Sequence, residues 1–173
     1  DLYISNLYGC SPITIHDSIQ SIGSSATGIT SFAFGDNAKA FGVNSHAEGK
    51  DTIASGNYSH AEGIGSIASG NYSHAEGFGT IASGQTSHAE GIETSASGSG
   101  SHAEGARTIS GGEFSHAEGV GTTANGISGC HAEGFNTIAS GTSSHAEGIN
   151  TIAGGSGSHA EGSGTIASGD TCH

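Results

Sequence analysis

The tetrapeptide His-Ala-Glu-Gly begins at residues 46, 60, 74, 88, 102, 116, 131, 145 and 159, so this 173-residue chain repeats every 14 residues with one 15-residue exception. A unit that short cannot hold a pair of helices. It suits two short strands joined by two tight turns. Each unit reads as SHAEG followed by TIASG, with two-residue connections and a Gly closing each piece, as Gly49 and Gly56 do in the first unit. Two Gly per 14 residues would weaken a helix, whereas at corners they supply positive φ or close backbone approach. The period therefore predicts an all-β fold, a parallel β-solenoid with one coil per unit. At the ~4.8 Å spacing of strands, nine coils make a rod about 45 Å long. In the 15-residue unit, Ile127, Ser128 and Gly129 stand where other units have two residues, which predicts a loop insertion that stacking tolerates.

Variation among the units predicts which side chains face where. The position of Thr52 holds only Thr or Ser, and that of Ala54 holds Ala except for Ser110, as a narrow interior requires. Between them stand Ile53, Ile67, Ile81, Ser95, Ile109, Thr123, Ile138, Ile152 and Ile166, too varied in size for that interior and therefore outward. In the other strand, alternation sends Ser45, Ala47 and Gly49 to the inside and His46 and Glu48 to the outside.

Composition excludes several classes of protein. Leu, Ile, Val and Phe supply 27 of the 173 residues, and the formal charge is −13, a profile that without the repeat would indicate disorder. Three bases, Lys39, Lys50 and Arg107, give nucleic acid no footing, and no apolar run is long enough to span a membrane. Cys10, Cys130 and Cys172 lack CxxC spacing. Cys130 and Cys172 occupy the Ser position of the motif and are expected as buried fillers, three coils apart and too distant for a bond within one chain.

Residues 31–44, SFAFGDNAKAFGVN, lie in register with the HAEG units, with Phe32 and Phe34 in the His and Glu positions and Lys39 in the variable one. This unit resembles the SxAxG…AxAxG pattern of YadA-type head repeats in trimeric autotransporter adhesins. The SHAEG units are similar to variants of that repeat in tail or host-recognition fibres of viruses. The resemblance covers roughly residues 18–173. It implies a left-handed parallel β-roll, a homotrimer, and a trimer interface formed by the two alternating side chains of SxAxG. Those positions here are Phe32, Phe34, His46, Glu48, His60, Glu62, His74, Glu76, His88, Glu90, His102, Glu104, His116, Glu118, His131, Glu133, His145, Glu147, His159 and Glu161. HAEG departs from the head pattern by placing His and Glu where aliphatic residues are usual. Residues 1–30 are expected to form a lead-in or cap with a degenerate coil at Ser24 to Gly28, and residues 31–173 the roll. The chain, beginning without Met and stopping inside a motif, is expected to be a piece of something longer.

The resemblance implies a structural role: the shaft or head of a virion fibre that attaches to a host cell, with the head of a bacterial trimeric autotransporter adhesin as the alternative. Expected partners are two further copies, a host-cell receptor such as a glycan, and other fibre or virion components at the N-terminus. Expected locations are the virion surface or, alternatively, the bacterial surface. No cofactor and no catalysis are expected, since Ser45 and His46 fall on opposite faces of a strand and cannot form a nucleophile and base pair. Metal binding by HxE and ice binding by Thr ladders are distant alternatives. Tyr58, Tyr72, Phe78, Phe114 and Phe135 are expected at turns, packing between chains, with a minority as sugar platforms. Pairing with Glu is expected to raise the His pKa, so that stability peaks on the mildly acidic side.

Overall fold

A computed structural model describes residues 19–21 and 23–173. Most of the lead-in assigned to residues 1–30 lies outside the described residues. The described chain is an all-strand parallel β-solenoid built as two sheets of eleven strands each. One sheet is formed by five-residue strands such as His46–Lys50 and His60–Ile64, and the other by two-residue strands such as Ile53–Ala54 and Ile67–Ala68. Every strand pairs with its counterpart in the next coil, and identical residues face each other: His46 opposite His60, Glu48 opposite Glu62, Ile53 opposite Ile67. The expected TIASG strand is thus shorter than its five residues, because its Ser and Gly already turn the corner.

The two sheets enclose a core of small side chains. Ala47, Ala54 and Thr52 have no exposed surface, and Ser45 almost none. The predicted interior holds at these positions. It does not hold at Gly49, which is exposed. Its φ of +107° breaks strand alternation, and a Cβ there would lie 2.1 Å from the carbonyl oxygen of Gly63. Gly56 has no positive φ, yet a Cβ on it would sit 1.9 Å from the carbonyl oxygen of Gly70. Both Gly columns therefore exist because coils stack backbone on backbone.

Each interior Ser also ties down a corner. The Ser59 hydroxyl donates to the Gly56 carbonyl at 2.6 Å, and Ser87 to Gly84 at 2.8 Å. Cys130 takes this role weakly, its thiol 3.7 Å from the Gly126 carbonyl. Cys130 is buried as expected, whereas Cys172 is exposed, because no described coil stacks upon it. Ser110, the exception in the Ala column, is accommodated by a 2.7 Å hydroxyl contact with Ser115. The inserted residue disturbs neither sheet: His116 still opposes His131, and Thr123 opposes Ile138. Gly129 keeps the left-handed turn conformation and Ile127 projects outward, 81% exposed.

Candidate functional site

The long-strand sheet carries the features available for binding. Parallel in-register pairing stacks like on like, so its outer face bears one column of His and a second of Glu. From His46 to His159 the imidazoles lie parallel at 4.6 to 5.0 Å between centroids. Phe32 meets His46 edge-on at 4.8 Å and continues the column by one coil, with Phe34 above Glu48. All twenty side chains singled out in the sequence lie on this face of the described coils, half-buried except for Phe34 and Glu161, which are exposed.

Each imidazole looks toward carboxylates of its own chain. His46 Nε2 is 3.5 Å from Glu48 Oε2 within one strand, and His102 Nε2 is 3.5 Å from Glu90 Oε1 of the coil before. His116 stands between two, 3.4 Å from Glu104 Oε1 and 3.9 Å from Glu118 Oε2. These separations exceed a hydrogen bond. The Nε2 atoms of His46, His60, His74, His88, His102, His116, His131, His145 and His159 are sealed from solvent and lack a hydrogen-bond partner.

The expected upward shift of the His pKa is reversed where a shift is resolved. Burial lowers it at His60, His88 and His145, and the imidazoles directly above and below lower it further, outweighing attraction from Glu. Register adds to burial: His60, His88 and His145 each stack between two other imidazoles, so a charge on one ring faces a ring on either side. At Glu90, burial pushes the carboxyl up, but its interactions with the Glu76 and Glu104 carboxyls and the attraction of the neighbouring His102 prevail and leave it below the ordinary range.

Beside the Glu column runs a shallow groove floored by glycines, lined by Glu48, Gly49, Glu62, Gly63, Glu76 and Gly77 and continuing past Glu104, Gly105, Glu118 and Gly119. On its far side stands an apolar column that the sequence reading did not assemble: Ile64, Phe78, Ile92, Val120, Phe135 and Ile149, each 37 to 54% exposed. Its signal was the residue after HAEG, large and apolar in six of the nine units and Lys50, Ala106 and Ser163 in the others. Phe78 and Phe135 are accordingly strand-end members of this column and not turn residues. Tyr58 and Tyr72 do occupy turns, stacked at 5.1 Å and exposed. On the opposite sheet the Ile53 column faces outward, as its variability predicted, with Ile81, Ile109 and Ile166 exposed.

No helix among the described residues is long and apolar enough to cross a membrane. The family model of the YadA head domain repeat matches residues 26–45, 47–73, 75–101 and 132–158, more than half of the chain. No curated protein sequence matches the chain.

Proposed function

The chain belongs to the YadA head-repeat family, and from this premise we propose that it is a rigid, homotrimeric segment of a surface attachment fibre. The observation that carries the trimer is the apolar column of Ile64, Phe78, Ile92, Val120, Phe135 and Ile149 beside the Glu and Gly groove. Both run along the rod with the same 14-residue period, so a second copy held in register meets a matching ridge or groove at every coil. Exposed apolar patches of such extent mark interaction surfaces. A ridge that enters the neighbour's groove makes a head-to-tail contact, which closes by rotation, as three copies in this family would. The small core gives a second motive. Ala, Ser and Thr bury little apolar area per coil, and association adds what a lone rod lacks.

A structural role is supported by Ser45 pointing into the core and His46 away from it, which keeps the two from forming a nucleophile and base pair. Attachment to a host receptor is the role that an adhesin-type head of this family supports, with the fibre carried on an outer surface. A virion fibre is the second reading, favoured by the uniformity of the nine HAEG units. Gold-labelled antibody on intact cells and on phage particles separates the two surfaces.

Light scattering of the purified chain tests the assembly. The mass expected is three times the 16.8 kDa of one chain, and a monomer of unchanged β content would overturn the proposal. Phe78→Glu combined with Phe135→Glu is expected to lower the mass to that of one chain while the far-ultraviolet spectrum is kept.

A further inference from the structure

The fibre role uses the apolar column and the glycine-floored groove beside it and leaves the stacked imidazoles unexplained. Along the His and Glu face, buried Nε2 lone pairs or protons confront carboxylate oxygens at 3.4 to 3.9 Å without bonding them. That spacing is too wide for a hydrogen bond. It is close to the edge of a tetrahedron around zinc, where bonds of 2.0–2.1 Å put two ligands about 3.3 Å apart. We propose that the ladder binds zinc or a similar late first-row dication, each ion held by three ligands: one imidazole Nε2 and its two flanking carboxylates at His60 and His88, and two imidazoles with the Glu between them at His131, Glu133 and His145.

Glu48, His60 and Glu62 form one such triad, and Glu76, His88 and Glu90 another, with ligand atoms mutually within 4.8 Å. Three protein ligands leave a fourth position for water, and the carboxylate side chains, about a third exposed at Glu62 and Glu76, give the path for entry that the sealed Nε2 atoms do not. An imidazole in every set selects against magnesium and calcium, which take oxygen. Successive triads share a Glu, and dications one coil apart, at ~4.8 Å, repel strongly. Alternate coils are therefore filled, about four ions per chain. Each ion ties a coil to the one before it and neutralises the carboxylate column. The triads are complete within one chain, so the proposal does not depend on trimerisation.

Equilibrium dialysis of the chelator-treated full chain against zinc chloride, at near-neutral pH and physiological salt, tests this by elemental analysis. About four zinc per chain are expected to be retained against a roughly hundredfold excess of magnesium. Cobalt(II) in place of zinc is expected to give the visible absorption of a four-coordinate nitrogen and oxygen site. The triple variant His88→Gln, His102→Gln and His116→Gln is expected to lose one or two of the four ions, with its fold checked by far-ultraviolet spectra. Displacement of zinc by magnesium, or unchanged zinc in a folded triple variant, would overturn the proposal. Light scattering of the same samples separates it from the fibre reading, since a trimer without zinc sinks only the metal, and a zinc-loaded monomer only the trimer.

Discussion

Two columns of hydroxyls line the core, and they are used differently. Each Ser of SHAEG donates to a corner carbonyl, whereas the Thr52, Thr80, Thr108, Thr122 and Thr137 hydroxyls are buried without a partner. A buried polar group without a bond costs about 1–3 kcal/mol, and an apolar replacement of the same shape removes that cost. Thr80→Val and Thr108→Val are therefore expected to raise the urea midpoint, by about 1 kcal/mol each, while Ser87→Ala lowers it by about 1 kcal/mol. Equal losses in all three would show that the Thr hydroxyls are bonded after all. The glycines divide in the same way. Gly91 has a φ of +106° and a Cβ would meet the Gly105 carbonyl oxygen at 2.1 Å, so Gly91→Ala should cost about 4 kcal/mol or more. Gly65, with φ +69° and a Cβ position meeting only the Gly79 backbone at 3.9 Å, an ordinary contact, should accept Asn almost without cost, as the equivalent Asn136 and Asn150 already do. A thermal melt of the two variants side by side checks the contrast.

At the level of the element, strand positions were readable because a 14-residue coil repeated nine times is its own comparison: the Ala and Thr columns declare the interior by refusing larger residues. Turn geometry was not readable. Each corner needs one left-handed residue, and Asp51, Tyr58, Tyr72, Thr86, Arg107 and Phe114 take that conformation with φ between +51° and +60°. Residues such as Tyr and Arg carry no local preference for it; the stacked backbone imposes it. Thr86 has φ +56° and its amide donates to the Asn71 carbonyl at 2.9 Å, so the coil below holds it in place. Relieving that strain, Thr86→Gly is expected to leave stability unchanged or raise it by up to about 1 kcal/mol, unlike Gly introduced within a strand. The inserted corner makes the complementary case. Ile127 projects to solvent and its carbonyl takes only a 3.2 Å bond from the Glu113 amide, so deleting it restores the 14-residue period without touching either sheet. The melting temperature of the deletion variant should match that of the parent, and a large loss would mean that the corner supports the stack.

For the whole molecule, the His and Glu columns were predictable in position from alternation alone, but not in electrostatic sign. A single unit shows a His two residues from a Glu and suggests pairing; only the stacked register shows that its nearest aromatic neighbours are other imidazoles, at 4.6 to 5.0 Å. Two effects then compete as pH falls. Protonating all eleven His would bring the formal charge from −13 to about −2, relieving repulsion over the rod. Against this, burial and the stacked neighbours disfavour the charged imidazole at His60, His88 and His145. The local effect should win, because ring neighbours lie well inside the ~8 Å screening length of physiological salt while most acid pairs along the rod lie beyond it. A His whose pKa is lowered by folding stabilises fully above its ordinary value near 6.5, and that contribution is lost as pH falls through its depressed folded value. Glu90, also lowered, adds a loss further into acid, below the ordinary carboxylate range. Facing His88 are His74, His102, Glu76 and Glu90, so neutralising one member of the column should be felt by its neighbours. In chelator, which removes any bound dication, the melting temperature is expected to be flat from pH 8 to 7 and to fall steadily below about 6.5. His60→Gln and His88→Gln together should flatten that acid limb. A maximum near pH 6 would restore the paired, charged ladder and reverse the sign of this argument.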